Sequence, residues 1–389
     1  MKIGILTYFT DIPYFNDINP GMNLQAYSVY LAVREAYPDD EVEMIRFHSW
    51  FAIWRIYLTG ITWESFKKDC RQFWQYYLFN RNHRKSRKAL ITMNYEKATR
   101  FFNSLGYDAI YVGSDTLLEM FRAPQDKLTP YWLSPEVKAH KFMMAASARD
   151  ASYGKLTAHQ RELMKASIGG FEQLGVRDEA TRALISHFVE EKDDRLQLVP
   201  DPTFYLDIDY SAADRYTKHS GMAQCGKPIV CFHLLKTDTF ADELAKMFHQ
   251  KGWLVASLRP AKYADFLLKD LSPMEFAGIF RYFDLTITHR FHDSVFSIKN
   301  LTPFIVYPPS ASYKSEGGHS KQSSLTNAFG LTDICLIEGI QKMEVSMIME
   351  RAMNAISEFN KRKPGIQEQL LRYKKQLNEY IQRTTQWTR

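Results

Sequence analysis

Residues 285–297 read LTITHRFHDSVFS. The apolar residues 285–287 predict a short strand, and a helix is predicted to begin a few residues later, with His289, Arg290 and His292 at the junction. In open α/β sheets, ligands bind at the carboxyl ends of strands, and helix N-termini favour anions. Arginine pairs with carboxylates or phosphates, and histidine transfers protons near neutral pH. The stretch therefore predicts acid-assisted chemistry on a small anionic substrate. The alternative is a buried polar cluster in which Asp293 caps the helix.

The same alternation of strand and helix runs outward from this stretch in both directions. Predicted strands lie at 2–8, 42–47, 108–112, 141–145, 175–177, 196–199, 228–234, 253–257, 285–287, 303–307 and 334–336. The Pro200-Asp201-Pro202 break and the polar residues 207–227 divide this series in two. The pattern predicts an α/β fold of two Rossmann-like, parallel-sheet domains that face a cleft. We place the domains at 1–205 and 206–360. Two closing helices are predicted at about 341–360 and 365–385, so that 361–389 is a C-terminal helix.

Composition excludes several classes of protein. With 389 residues, of which 45% are hydrophobic, the chain is long enough for two folded domains. It has no apolar run long enough for a membrane span, and residues 1–9 read as a strand and not as a signal peptide. The four cysteines show no CxxC spacing, which argues against a zinc or redox site and predicts a cytoplasmic protein.

The segment from about 48 to 100 departs from the alternation. Eleven aromatic residues lie within 50–79, and residues 67–100 hold ten Lys or Arg against two Asp or Glu. We interpret the segment as a helical insertion in the first domain. It could bind an acidic partner or lie against phospholipid headgroups at the inner face of a membrane, or it could be a set of solvated helix faces. Because the basicity is local, the sequence does not indicate a nucleic-acid-binding protein.

Three further constellations are candidates for the site. Gly113-Ser114-Asp115 follows a predicted strand, and Asp115 there could accept a proton from a hydroxyl or simply cap a helix. Residues 21–25 join the first loop to its helix, where Gly21 would allow a tight turn, and where Asn23 and Gln25 could offer amides to a ligand or form an N-terminal cap. Arg177 lies at a strand-to-helix turn, as a second anion contact or as a surface salt bridge.

These pieces together resemble the polysaccharide pyruvyl transferase family. The resemblance covers most of residues 1–340 and rests on the order of several motifs. The motifs are Gly21-x-Asn23-Leu24-Gln25-Ala26, Asp108-x-Ile110-x-Val112-Gly113-Ser114-Asp115, Ala145-Ala146-Ser147, Gly175-Val176-Arg177-Asp178, Val199-Pro200-Asp201-Pro202-Thr203, Ser272-Pro273-x-Glu275-Phe276, Thr288-x-Arg290-Phe291-His292-Asp293-Ser294-Val295-Phe296-Ser297-Ile298 and Pro303-Phe304-Ile305.

The resemblance implies a fold of the GT-B type. It also implies transfer of a pyruvyl group from phosphoenolpyruvate to two hydroxyls of a sugar, forming a cyclic ketal. Arg290 and His292 then look like the donor-site arginine and histidine, and Arg177 looks like an anion contact from the other domain. Asp293 and His289 depart from the family pattern. A carboxylate beside the histidine would raise its pKa, but it could also repel an anionic donor.

The mechanism that we expect uses His292 as general acid and Asp115 as base. The substrate-binding residues are predicted to be Arg177, Arg290, Phe291, Asn23, Gln25 and Ser114. No metal or other cofactor is expected, because arginines supply the charge stabilisation.

Two other functions remain open. A nucleotide-sugar glycosyltransferase of the same fold would need a nucleotide site, which Glu316, His319 and Lys321 in the loop 313–324 could supply. A non-catalytic scaffold of polysaccharide assembly would use residues 50–100 to contact membrane or partner proteins.

Overall fold

Two parallel sheets organise the chain in a computed structural model, which describes residues 1–11, 19–48, 63–121, 123–124, 126–149, 151–308 and 320–387. Within these residues, the strands of the first sheet are β1 (Lys2–Leu6), β2 (Glu41–His48), β3 (Lys85–Ile91), β4 (Ala109–Val112), β5 (His140–Ala146), β6 (Gln173–Val176) and β7 (Leu196–Leu198). Their spatial order is β3-β2-β1-β4-β5-β6-β7, and each neighbouring pair is parallel. The first six strands follow the order of a doubly wound Rossmann fold.

The second sheet repeats the design on a smaller scale. Its described strands are β8 (Ile229–His233), β9 (Leu254–Ser257), β10 (Phe266–Leu267), β11 (Leu285–Thr288) and β12 (Phe304–Val306). They lie in the order β10-β9-β8-β11-β12, and all pairs are parallel. The predicted two-domain α/β architecture is therefore confirmed. Our boundary at 205/206 falls between β7 and β8 and remains a proposal.

Helices connect the strands and cover the sheets. The α-helices in the described ranges are α1 (Pro20–Ala36), α2 (Trp63–Phe79), α3 (Tyr95–Ser104), α4 (Ala158–Gly169), α5 (Glu179–Ser186), α6 (Ser211–His219), α7 (Ala241–Gln250), α8 (Pro273–Ile279), α9 (Phe291–Lys299), α10 (Lys321–Ala328), α11 (Thr332–Cys335) and α12 (Val345–Thr385). None of them has the length and apolar character needed to span a bilayer.

Local capping explains where the helices beside the site begin. Asn19 caps α1 by accepting from the Met22 N–H, and Pro20 occupies the first turn, where its missing N–H costs nothing. Ser272 and Glu275 form a capping box at the start of α8, as the sequence indicates.

The two closing helices that we predicted are a single helix, α12. Proline normally ends a helix because it removes an N–H, but α12 continues through Pro364. Its first half buries Ile348 and Ala352 in the core of the second sheet, and its second half buries Leu377 and Tyr380 against the first. Contacts at both ends therefore stabilise one continuous helix that joins the two halves.

The predicted helical insertion and the strand predicted at 334–336 also differ from the structure. Residues 49–62 lie outside the described residues, but Lys85–Ile91 form the edge strand β3, and α3 leads on to β4. An edge strand needs little apolar character because one of its sides faces solvent. The basic composition of β3 therefore did not indicate a strand. The segment predicted as a strand at 334–336 instead contains the end of α11, with an isolated bridge at Leu336.

Candidate active site

The ends of three strands in the first sheet bring an arginine and two carboxylates together. Arg177 follows β6 directly, Asp115 follows β4, and Asp201 follows β7. Arg177 Nη1 donates to Asp201 Oδ2 at 2.8 Å, and Arg177 Nη2 lies 4.0 Å from Asp115 Oδ1. The Arg177 side chain is only 4% exposed, so this is a buried ion pair and not the surface salt bridge of the alternative interpretation.

The second sheet adds a histidine and an aromatic ring to this cluster. Both lie in the first turn of α9, which begins just after β11. His292 Nε2 lies 3.9 Å from Asp201 Oδ2, and the Arg177 guanidinium lies over the Phe291 ring, 4.7 Å from its centroid. The structure thus places His292, Phe291, Arg177 and Asp115 in one site. The sequence suggested that these residues face one another across a cleft.

Lys321 completes the cluster from the start of α10. Its Nζ lies 5.5 Å from the centroid of the Phe291 ring, and its charge acts on Asp115 and His292. Because its ammonium is withdrawn from water and lies near Arg177, the pKa of Lys321 falls to about 8. Arg290 is half-buried at the N-cap of α9, and its charge also acts on Lys321.

Burial and neighbouring charges shift the pKa values of Asp115 and His292. Burial would raise the pKa of Asp115, but the positive charges of Arg177, His292 and Lys321 outweigh burial and lower it. Burial lowers the pKa of His292 below its ordinary 6.5, while Asp201 and Asp115 act in the opposite direction. The Asp115 and Asp201 carboxylates are therefore ionised, and His292 favours its neutral form. Binding of an anion beside His292 would favour the protonated form.

Several buried donors of this cluster have no hydrogen-bond acceptor among the described residues. They are Arg177 Nε and Nη2, together with the ring nitrogen His292 Nε2, which donates when the imidazole is protonated. Buried donors are normally satisfied, because an unmade hydrogen bond leaves the full cost of desolvation. Donors from both sheets that converge without an acceptor are what an anion-binding site offers its ligand.

A cavity of about 530 Å³ adjoins the cluster. Its lining includes Arg177, Asp201, Phe291, Lys321, Ser323, Ser324, Asn327, Tyr373 and Gln376. The volume lies within the range of small-molecule sites, and the lining combines charges with hydroxyl and amide groups.

The predicted ligand contacts Asn23, Gln25 and Ser114 bond instead within the protein. Asn23 Oδ1 accepts from Thr10 N, and its Nδ2 donates to Thr10 Oγ1 and to Asn19 O, each at about 3.0 Å. Gln25 Nε2 donates to Thr7 Oγ1 and Tyr8 O, and Ser114 Oγ donates to Gln25 Oε1. All three are buried. These bonds tie the β1–α1 loop to the turn that carries Asp115. Their contact with a substrate stays a prediction, and the bonds favour a positioning role.

Gly21 has a different role from the tight turn that the sequence suggested. It lies inside α1, and a Cβ built there would lie 2.4 Å from His292 Cβ. The absence of a side chain therefore allows α1 to pack directly on the imidazole.

Asp293 and His289, which depart from the family pattern, bond away from His292. Asp293 Oδ2 pairs with His233 Nδ1 at 2.6 Å and accepts from Thr288 Oγ1 at 2.7 Å. His289 Nδ1 contacts His233 O at 2.7 Å, and burial lowers its pKa to about 3. The raised pKa that we expected for His292 is wrong, because burial lowers that pKa and the Asp293 carboxylate is bonded to His233. Repulsion of an anionic donor by Asp293 stays a prediction.

Sequence reasoning missed the parts played by Asp201 and Lys321. Asp201 appeared in the Pro200-Asp201-Pro202 break and in a family motif but was given no role, although it follows a strand as Asp115 does. Lys321 was assigned to a nucleotide loop whose other candidates, Glu316 and His319, lie outside the described residues. Among the residues that the structure describes, no group of His, Cys, Asp and Glu side chains could hold a metal ion.

Comparison with known families decides the assignment. A family model described as polysaccharide pyruvyl transferase matches residues 19–310. The chain belongs to the polysaccharide pyruvyl transferase family. The matched range covers both sheets and contains Arg177, Asp201 and His292, whereas Lys321 lies beyond its end. A comparison with curated proteins finds no match.

Solved structures agree on the fold of this pyruvyl transferase family member. UDP-GlcNAc 2-epimerase from Neisseria meningitidis, bound to UDP-GlcNAc, superposes with a TM-score of 0.55 at 9% identity, covering 99% of both chains. The UDP-GlcNAc 2-epimerase from Methanocaldococcus jannaschii gives 0.51 at 10% identity, over 92% of both chains. The trehalose-6-phosphate synthase OtsA gives 0.51 at 10% identity, over 99% of this chain and 98% of its own. The fold is of the GT-B type, and at such low identity the likeness extends to the fold alone.

Proposed function

We propose that the chain transfers a pyruvyl group from phosphoenolpyruvate to two hydroxyls of a sugar in a polysaccharide or its lipid-linked precursor, forming a cyclic ketal. The observation that carries the proposal is the set of buried donors without acceptors, Arg177 Nε and Nη2 and His292 Nε2. They converge from two sheets beside Lys321 and Arg290. Phosphoenolpyruvate carries a carboxylate and a phosphate, which such donors bind well.

The cationic side chains of the site would bind the anionic donor, and His292 would protonate it. Arg177 and Arg290 hold the carboxylate and phosphate, and Lys321 adds a third positive charge. The negative donor raises the pKa of His292 and so counters the effect of burial, which makes the imidazolium available when the donor is bound. His292 would then have the protonation state that a general acid needs.

The reaction then proceeds in two steps with balanced protons. His292 gives the proton on Nε2 to the methylene carbon of the donor, and an acceptor hydroxyl oxygen bonds to the neighbouring carbon as its proton passes to Asp115. The bond from that carbon to the phosphate oxygen then breaks, and the phosphate leaves with the electron pair and the proton held by Asp115. The second hydroxyl bonds to the same carbon and returns its proton to His292. No metal takes part, since the cations of the site stabilise the charges.

The cavity beside the cluster suits the acceptor. Ser323, Ser324 and Asn327 can hydrogen-bond to sugar hydroxyls, and Tyr373 offers a ring face. These groups adjoin Arg177 and Phe291, so an acceptor in the cavity would lie beside the donor.

Titration calorimetry tests the donor directly. Phosphoenolpyruvate is expected to bind, and UDP and GDP are not. Phosphate release with a panel of nitrophenyl and lipid-linked sugars then identifies the acceptor. Binding of UDP or GDP without binding of phosphoenolpyruvate would contradict the proposal and favour a glycosyltransferase.

A further inference from the structure

Helix α2 has one face that is firmly bonded to the second domain. Arg71 contacts Asp270 at 3.2 Å and Glu275 at 3.0 Å, and Gln75 donates to Glu275 at 3.1 Å. Gln72 donates to Lys269 O at 2.9 Å. The acid of this face, Asp69, is buried and pairs with Lys269 Nζ at 2.5 Å. These bonds fix the orientation of the helix, so its opposite face is presented to solvent in a defined way.

The opposite face is aromatic and exposed. The exposed fractions are 70% for Trp63, 40% for Phe66, 58% for Trp74, 46% for Tyr77 and 54% for Leu78. These residues recur at helical spacing and form one stripe, which we call the aromatic face of α2. Monomeric soluble proteins rarely expose a continuous apolar patch, and such a patch marks an interaction site.

Positive charge lies on the aromatic face and along the segment that follows it in sequence, where Arg84 pairs with Glu41 at 3.2 Å. Lys67 Nζ lies over the Trp63 ring, 5.4 Å from its centroid. The exposed basic residues of the segment 67–100 are Lys67, Arg81, Arg84, Arg87, Lys88, Lys97 and Arg100. Its exposed acid, Glu96, pairs with Lys127. The segment therefore combines exposed aromatic rings, one of them under the Lys67 ammonium, with an excess of exposed positive charge.

We propose that the aromatic face of α2 docks the protein on an anionic lipid bilayer. Trp, Tyr and Phe lie at the level of the headgroups, and Lys and Arg attract anionic lipids, which together describe an interfacial helix. The helix lies in the plane of the bilayer surface and does not cross it. This surface exists whatever reaction the cleft performs.

The position of α2 relates this surface to the site. Asn80, just after α2, donates its side-chain amide to Thr10 O. Thr10 in turn bonds to Asn23 in the first turns of α1, where Gly21 packs on His292. Docking through α2 would therefore bring the domain that carries the cleft to the membrane surface, where a lipid-linked acceptor of the proposed reaction would lie.

Co-sedimentation with vesicles tests the inference. The full chain is mixed with vesicles of phosphatidylcholine, with and without phosphatidylglycerol. The double variant Trp63→Ser/Trp74→Ser removes two rings of the aromatic face. Trp387→Ser is the matched control, because Trp387 is an exposed tryptophan (48%) near the end of the chain. Thermal unfolding of each variant checks that the fold is intact.

The wild type is expected to bind the phosphatidylglycerol vesicles, and the double variant to bind them at least roughly tenfold more weakly. Trp387→Ser should bind as the wild type does. The double variant should keep its phosphate release with a water-soluble acceptor, which separates this inference from the proposed reaction. Absence of wild-type binding, or equal binding by the double variant, would overturn it. If the wild type forms a dimer that the double variant disrupts, and neither protein binds vesicles, the aromatic face of α2 contacts a second copy of the chain. That outcome would also overturn the proposal.

Discussion

The substitution Gly21→Ala sets local helix preference against the geometry of the site. Alanine is favoured over glycine in a helix by about 1 kcal/mol, so helix preference alone predicts a gain in stability. The structure predicts the reverse. The new Cβ would lie 2.4 Å from His292 Cβ and 2.7 Å from its Nδ1, whereas ordinary contacts begin at 3.4 Å. His292 must therefore withdraw by about 1 Å at its Cβ, the difference between 3.4 and 2.4 Å, and its ring must move with it.

A displacement of that size has a calculable consequence. Moving a catalytic group by about 1 Å can cost on the order of 10²-fold in rate, and overpacking costs roughly 1–3 kcal/mol of stability. We therefore expect Gly21→Ala to lower kcat about 100-fold. After the helix preference is subtracted, its free energy of unfolding should fall by roughly 0–2 kcal/mol.

Phosphate release from phosphoenolpyruvate and urea denaturation measure the two effects. Gly365→Ala is the matched control, since Gly365 lies inside α12 and a Cβ there would meet no atom within 4 Å. The control should be more stable than the wild type and equally active. If Gly21→Ala were also as active as the wild type and more stable, the close packing of α1 on His292 would have no part in catalysis.

Other predictions concern the charged groups of the cluster. His292→Ala should lower the rate by on the order of 10²–10⁴, and a nearly unchanged rate would remove His292 from the chemistry. Arg177→Lys should raise the KM for phosphoenolpyruvate roughly tenfold or more, because it loses a charged, forked hydrogen bond. Arg195→Lys, at an ion pair with Asp193 outside the site, should leave that KM unchanged. An equal rise in both variants would refute a donor contact at Arg177. The pH dependence follows from His292, whose pKa burial lowers below 6.5 in the free protein. Because the acid form is the active one, kcat/KM should fall as the pH rises through that lowered pKa, while kcat holds to higher pH in the presence of the anionic donor. A kcat/KM that rises through the same range would contradict the general-acid role.

Strand ends were the part of the fold that the sequence predicted best. Buried parallel strands read as short apolar runs, and the residues just after them, such as Asp115 and Arg177, could be expected at one edge of a sheet. The basic edge strand β3 and the continuous helix α12 could not be predicted in the same way. Solvent covers one side of β3, and contacts distant in sequence hold α12 together across Pro364.

The sequence predicted the charged residues of the site better than the residues that position them. Arg177 and His292 were expected to meet, and they do so through Asp201, which lies between them. The buried amides of Asn23 and Gln25 look identical in sequence to amides that face a ligand. Only the distances to Thr10 and Thr7 reveal that they bond within the protein. The partner of Asp293 could not be predicted either, because His233 is distant in sequence and adjacent only through the pairing of β8 with β11.

The most direct test of pyruvyl transfer is the structure of the product. The purified chain is incubated with phosphoenolpyruvate and a sugar acceptor that supports phosphate release, and the product is examined by NMR. We predict one phosphate released for each acceptor consumed and a ketal carbon bonded to two sugar oxygens, with neither formed by His292→Ala. Phosphate release without a ketal, or sugar transfer from a nucleotide sugar by the same protein, would contradict the account.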